Sequence, residues 1–107
     1  MKIIWIKVAQ EQLNEIYEFL AQQSERAAAD LFNDIIDETE KLCNFPEMAA
    51  FEPLFNKKPR IYRSLVVRHN YKVIYRIDTE TDEIIVTSVW DCRSDPKMLK
   101  KRVTKQH

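Results

Sequence analysis

The sequence predicts an α+β fold made of one short strand, two amphipathic helices and three strands, closed by a short C-terminal helix or tail. Two stretches carry apolar residues at helical spacing, and three later stretches are rich in β-branched and aromatic residues separated by short turns. Strands joined by tight turns are antiparallel, so we expect an antiparallel sheet covered on one face by an N-terminal helical hairpin. The 107 residues predict a single domain spanning residues 1–107.

The first strand and the two helices are predicted from the first part of the chain. Lys2–Lys7 is rich in Ile and Trp, which is typical of a strand buried on both faces. A helix follows from about Val8 or Ala9, and Ser24 is expected to cap the next helix. The apolar positions of the first helix are Leu13, Ile16, Tyr17 and Leu20. Those of the second helix are Ala28, Leu31, Phe32, Ile35, Ile36, Thr39, Leu42 and Cys43.

The remaining strands follow a connecting segment, Asn44–Pro59, which contains three of the four prolines and is predicted to be ordered because it is apolar. The predicted strands are the runs Arg60–Arg68, Tyr71–Ile77 and Ile84–Arg93. Their order along the chain makes the second half a meander of neighbouring strands.

Two turns join these strands, at His69-Asn70 and at Thr79–Asp82. The chain has no glycine, so Asn70 and Asp82 are expected to adopt the positive φ angles that such turns require. A basic helix or tail is predicted over Lys97–His107.

Charge divides the chain into an acidic and a basic half although the formal net charge is zero. Residues 1–56 contain 4 basic and 11 acidic residues, and residues 57–107 contain 13 basic and 6 acidic residues. The basic half either meets an anion, which would be a nucleic acid or an acidic protein surface, or is offset by the acidic half within the fold.

The composition excludes several classes of protein. No apolar run approaches the roughly 18–20 residues of a spanning helix, and no signal-peptide pattern is present, so we expect a cytoplasmic protein that does not enter a membrane. Cys43 and Cys92 suit reduced thiols in that compartment. The sequence shows no nucleotide-binding loop, metal-ligand cluster or catalytic triad, so no cofactor and no metal are expected.

Five short segments, in this order and spacing, point to a known family. They are Leu13-Asn-Glu-Ile-Tyr17, Phe45-Pro-Glu-Met48, Arg63-Ser-Leu65, Tyr71-Lys-Val-Ile-Tyr-Arg76 and Val89-Trp-Asp-Cys-Arg-Ser-Asp-Pro96. From roughly Ile3 to Pro96 the chain resembles the RelE/ParE superfamily of toxins from type II toxin–antitoxin (plasmid-stabilisation) modules. The resemblance implies a growth-inhibiting toxin neutralised by a cognate antitoxin, whose disordered segment folds over the toxin.

Members of this superfamily differ in their targets. RelE-like toxins cut mRNA on the ribosome, whereas ParE-like toxins lack the catalytic set and poison DNA gyrase. This sequence resembles the second kind more closely, because Lys72 stands where the nuclease type has arginine and Asp91 stands where many members have histidine. No tyrosine follows Arg93, and the net charge is zero where a ribosome-bound nuclease tends to be basic.

Two alternatives stay open at this point. The first is a ribosome-dependent endoribonuclease that uses Lys72, Arg76, Asp91 and Arg93 as its catalytic set. The second is a small α+β interaction domain without toxin activity. Oligomeric state is also open, and a homodimer is one arrangement that the sequence permits.

The residues predicted to bind the target or the antitoxin are mostly arginines of the strands. They are Arg60, Arg63, Arg68, Lys72, Arg76, Trp90 and Arg93. Alternation places Arg63 on the opposite side of its strand from Arg60 and Arg68, so one of these sets is a candidate for pairing with the acidic helices. The competing interpretation is that these residues only stabilise the fold. In that case carboxylates of this chain pair with the cations, as Asp91 or Asp95 would with Arg93. Trp90 would then pack at the sheet edge and bind no partner.

The central strand of the three separates two predicted surfaces. Tyr71, Val73, Tyr75 and Ile77 are expected to face the core. Lys72 and Arg76 then point away from the helices. An antitoxin that folds on binding is expected to use the helical hairpin and the open edge of the sheet.

Overall fold

A computed structural model describes residues 1–55 and 59–93 and confirms the predicted α+β architecture. The elements are β1 (Lys2–Trp5), α1 (Lys7–Ala21), α2 (Glu25–Glu40), β2 (Tyr62–Val67), β3 (Tyr71–Asp78) and β4 (Glu83–Asp91). Short 3₁₀ turns occupy Lys41–Cys43 and Pro53–Phe55. The predicted C-terminal helix or tail lies outside the described residues.

The four strands form one sheet in the order β1-β4-β3-β2. The strands β2, β3 and β4 are antiparallel neighbours as predicted, but β1 pairs with β4 in parallel, so the sheet is mixed. The parallel pairing is possible because the helical hairpin, and not a tight turn, follows β1. The prediction that β1 is buried on both faces is wrong, since β1 is an edge strand whose residues are exposed or half-buried.

The helical hairpin forms as the sequence predicts. Ser24 caps α2 by accepting a hydrogen bond from the Ala27 backbone N–H at 3.1 Å. The rings of Tyr17 and Phe32 meet edge to face, with centroids 6.0 Å apart, where the two helices cross. The hairpin covers one face of the sheet, and the largest core cluster includes Leu13, Leu31, Ile35, Leu42, Val73, Tyr75, Ile84 and Val86.

The strand β4 contains a β-bulge, and next to it a side chain of α1 forms hydrogen bonds with the sheet. Ile74 pairs with Ser88 and Tyr75 with Val86, so Thr87 is the additional residue in the ladder. Gln12, a buried residue of α1, accepts hydrogen bonds from the Ser88 hydroxyl and the Val89 N–H, both at 2.9 Å. The interrupted ladder is thereby satisfied by a helix side chain.

The turn residues differ in part from the prediction. Asp82 has a positive φ of 57° as predicted, but in the first turn Arg68 (51°) and His69 (63°) take this conformation, so the prediction for Asn70 is wrong. The strand β2 ends at Val67, which leaves Arg68 and His69 to reverse the chain. Asn70 instead extends the ladder, because its carbonyl accepts a hydrogen bond from the Cys92 N–H at 2.6 Å.

The outer face of the sheet, which points away from the hairpin, is partly covered by the connection before β2. Leu54 and Phe55 pack on a second cluster formed by Tyr62, Ile74 and Trp90. This covering was not predicted, because the expected layout had a single layer of helices on one face. Within the described ranges, no helix is long and apolar enough to cross a membrane.

Candidate functional site

Lys72 is an outer-face cation of the predicted catalytic set, and a carboxylate of the same chain holds it. The Lys72 Nζ lies 3.0 Å from both carboxylate oxygens of Glu52. The Glu52 side chain is fully buried, and the Lys72 side chain is 25% exposed. The pair is therefore largely removed from water, where an ion pair that loses one member is costly.

Hydrogen bonds fix the position of Glu52 against the outer face of the sheet. Its backbone N–H donates to the Tyr62 carbonyl at 3.0 Å, which ties the connecting segment to the outer edge of β2. Its carboxylate also accepts from the Leu54 N–H at 3.3 Å. Backbone pairing and the 3₁₀ turn at Pro53–Phe55 thus bring the carboxylate to Lys72.

Arg76 lies on the same face as Lys72 but far from it. The two are four positions apart along an extended strand, with three residues between them, so their Cα atoms are about 13 Å apart. Arg76 faces Asp78 of its own strand, with Nη1 and Oδ2 3.8 Å apart and both side chains partly exposed. Lys72 and Arg76 are thus each turned towards a different carboxylate of this chain.

Arg93 and Asp91 form a second site on the opposite face of the sheet. The Arg93 Nε and Nη2 donate to the two oxygens of Asp91 at 2.9 and 2.8 Å, and Nη2 also reaches the Tyr71 hydroxyl at 3.2 Å. Asp91 is directly opposite Tyr71 in the ladder, so both project on the side of the hairpin. The Arg93 hydrogen bond holds the pKa of Asp91 below its usual value.

The predicted catalytic set is therefore divided between the two faces. Lys72 and Arg76 project from the outer face, whereas Asp91 and Arg93 lie beside Tyr71 on the other. Each of the four pairs with another charged side chain of this chain.

The arginines around β2 take other positions. Arg68 pairs with Asp34 of α2, with its Nε 2.6 Å from Oδ2, which agrees with the prediction that some arginines meet the acidic helices. Arg63 donates to the carbonyls of Ala49 at 2.7 Å and Glu47 at 3.3 Å. Its guanidinium also lies 4.0 Å from the centre of the Phe51 ring.

The predicted alternation of these arginines is wrong. Arg60 lies over the same Phe51 ring as Arg63, at 5.9 Å, and Arg68 reaches the hairpin side together with Arg63. The reason is that neither Arg60 nor Arg68 belongs to the regular part of β2, so the period of two does not extend to them.

Trp90 packs within the second cluster and is 7% exposed. This position corresponds to the packed role that the sequence left open, and it leaves little of the ring for a partner.

Two residues that organise the cations were missed from the sequence, namely Glu52 and Phe51. A signal for Glu52 existed, because it is the single charge in the apolar run Ala49–Leu54, and a charge in an ordered apolar segment needs a partner. Phe51 had no such signal, since its contact with Arg63 depends on an isolated antiparallel bridge. The described residues contain no group of three His, Cys, Asp or Glu side chains able to hold a metal ion.

Solved structures define the class of fold. The chain is similar to a chain of the chromosomal ParDE toxin–antitoxin system from P. aeruginosa, with a TM-score of 0.68, 18% identity, and coverage of 85% of this chain and 95% of that one. The YoeB/ParE toxin from Agrobacterium tumefaciens gives a TM-score of 0.59 at 18% identity, covering 85% and 98%. The RelBE2 toxin–antitoxin complex from Mycobacterium tuberculosis gives 0.58 at 18% identity, covering 84% and 95%. The fold is therefore that of RelE/ParE toxins.

The family follows from the sequence itself. A family described as the ParE toxin of the type II toxin–antitoxin system, parDE, matches residues 3–96, and the chain belongs to this family. The resemblance to RelE/ParE toxins is thus confirmed. A search among curated proteins found no significant match.

Proposed function

We propose that this chain is a ParE-like toxin that arrests bacterial growth from the cytoplasm by binding and poisoning DNA gyrase. A cognate antitoxin neutralises it. The observation that carries the proposal is the pairing of Lys72 with the buried carboxylate of Glu52. Because of this pairing, Lys72 is not available to bind an RNA phosphate as a nuclease would require. Membership of the ParE toxin family supports the same function.

The divided set of charged groups argues against RNA cleavage. Attack by a 2′-hydroxyl needs a base, an acid and cations around one phosphate. Asp91 is a weak base because the hydrogen bond from Arg93 lowers its pKa. Lys72 would have to leave a buried carboxylate uncompensated in order to reach a phosphate.

The hairpin side of the molecule offers a surface for the antitoxin. A cleft of about 300 Å³ lies between the edge strand β1 and the two helices. It is lined by Trp5, Gln10, Leu13, Asn14, Phe32 and Ile36. A largely apolar cleft beside β1, whose outer edge pairs with no strand of the described residues, suits a segment that folds as it binds. The P. aeruginosa and M. tuberculosis neighbours come from toxin–antitoxin systems, which supports an antitoxin for this chain.

The test is to induce the protein in a bacterial host and to follow methionine incorporation and viable counts over the first minutes. We expect incorporation to continue while viability falls, because gyrase and not the ribosome is inhibited. Purified protein should then inhibit supercoiling by purified gyrase. An immediate collapse of incorporation, with intact supercoiling, would replace this proposal by the ribosome-dependent nuclease.

A further inference from the structure

We propose that the toxin engages its protein target through one edge of the sheet, by receiving an apolar segment of that target that carries a carboxylate for Arg60. The surface, here called the β2-edge patch, consists of Phe45, Met48, Phe51, Arg60 and Ile61. This inference rests on the proposed function, because it assigns the target-binding surface of the same toxin.

The patch collects most of the exposed large apolar side chains. Five such residues occur among the described ones, and three of them are in the patch: Phe45 is 64%, Met48 45% and Ile61 49% exposed. The other two, Phe19 and Val66, lie on α1 and on the outer face. Apolar side chains of this size that gather beside one strand are typical of a surface that a partner covers.

The contacts show that these residues form one continuous surface. Phe51 bridges to Arg63 as an antiparallel neighbour, and Ile61 directly follows Arg60, whose guanidinium lies 5.9 Å from the centre of the Phe51 ring. Arg63 also donates to the carbonyl of Glu47, in the turn closed by the Met48 N–H and the Phe45 carbonyl. Arg63 therefore contacts both the turn that carries Phe45 and Met48 and the ring of Phe51, and so links these two parts of the patch.

The patch is also rigid before any partner arrives. The buried Tyr75 donates its hydroxyl to the Pro46 carbonyl at 2.7 Å, and Arg63 donates to the Ala49 carbonyl at 2.7 Å. Burial raises the pKa of Tyr75, so its hydroxyl keeps the proton that it donates. Phe45 and Met48 are thus presented on a fixed turn, which lowers the entropy that binding must overcome.

Charge decides what kind of partner fits. Arg60 forms no ion pair with any residue in the ranges 1–55 and 59–93, so its charge is open to a carboxylate of the partner, and the single acidic side chain of the turn Phe45–Met48 is the exposed Glu47. The other cations predicted to bind partners already have carboxylates, except Arg63, which is taken up by two carbonyls and the Phe51 ring. A partner segment that is mainly apolar and places a carboxylate opposite Arg60, away from Glu47, complements this surface.

The experiment measures growth arrest and gyrase inhibition for the double variant Phe45→Ser/Met48→Ser and for Arg60→Glu. Phe19→Ser is the matched control, since Phe19 is 69% exposed on α1 and lies outside the patch. We expect each patch variant to lose inhibition by about tenfold or more, as truncation of a binding hot spot does. Phe19→Ser and the conservative Arg60→Lys should keep the wild-type potency.

Two further measurements keep the outcomes distinct. Urea unfolding shows whether the variants are folded, and the surface is wrong if folded patch variants inhibit as well as the wild type. Sedimentation tests whether a second copy covers the patch, and a wild-type dimer that the double variant converts to monomers would also overturn the proposal. A wild type that arrests growth without inhibiting gyrase contradicts the proposed target alone, and the patch is then judged by growth arrest.

Discussion

The outer face of the sheet and the β2-edge patch both carry cations, but they use them in opposite ways. On the outer face, Lys72 is matched by the buried Glu52 and Arg76 by Asp78. In the patch, Arg60 has no carboxylate partner among the described residues, and it lies between the half-buried ring of Phe51 and the exposed Ile61. The charged side chains of the outer face stabilise the fold, whereas the patch has the properties of a binding surface.

This difference shows that the number of strand arginines is a poor guide to function. What matters is whether each cation is compensated within the fold. Among the described residues, the charges of Lys72 and Arg76 are compensated on the face where a nuclease needs them, whereas the charge of Arg60 at the β2 edge is not. The predictions below test this contrast, beginning with the largest effect.

Lys72→Met should destabilise the protein by about 3 kcal/mol, because it leaves a fully buried carboxylate without its partner. Glu52→Gln should cost less, since the lysine left behind is 25% exposed and can reach water. The double variant Glu52→Gln/Lys72→Met should return to within about 1 kcal/mol of the wild type. Urea unfolding of the three variants measures these differences.

A matched control is the exposed pair of Lys41 and Glu38, 2.7 Å apart on the surface of the hairpin. Lys41→Met should change stability by less than about 0.5 kcal/mol. If Lys72→Met cost no more than Lys41→Met, the outer face would not be held by its ion pair.

Tyr75→Phe should destabilise the protein by about 1 kcal/mol through loss of the buried hydrogen bond to the Pro46 carbonyl. Hydrogen exchange of the backbone amides of residues 47–49 should accelerate as well, because this bond fixes the turn of the patch. The control is Tyr17→Phe, whose ring packs against Phe32 and should keep doing so. Unchanged exchange in the turn would mean that the patch is not pre-ordered by Tyr75.

Arg68→Ala should cost about 0.5 kcal/mol, because the ion pair with Asp34 is nearly half exposed at both ends. The loss should shrink further at 1 M salt, where the Debye length is about 3 Å. Thermal unfolding at low and high salt measures it. A loss that did not depend on salt would indicate a packing role for Arg68.

Asp91→Asn should have an effect that depends on pH. The pKa of Asp91 is lowered in the folded state by the hydrogen bond from Arg93, so the carboxylate stabilises the fold above its unfolded pKa of about 3.9. That contribution disappears as the pH falls below this value through the lowered pKa. The difference in unfolding free energy between wild type and variant should therefore be constant above about pH 5 and narrow towards pH 2.5. A gap of constant size down to pH 2.5 would exclude this linkage.

The sequence was sufficient for the order of the elements and for the core, because periodicity directly reports which side chains are buried. It could not place β1 next to β4, since parallel pairing depends on how the hairpin packs and not on a local signal. It also failed wherever a contact joined the connecting segment to the strands. The pairing of Glu52 with Lys72 spans 20 residues, and the position of Phe51 under Arg63 depends on an isolated bridge.

The most direct test compares inhibition of purified gyrase by two folded variants at one temperature. One is Glu52→Gln/Lys72→Met, which removes the Glu52–Lys72 ion pair of the outer face, and the other is Phe45→Ser/Met48→Ser, which removes two exposed apolar side chains of the patch. We predict that the first inhibits supercoiling as the wild type does and that the second is weaker by about tenfold or more. The reverse result, with Lys72 required and the patch dispensable, would contradict the account and place the activity on the outer face.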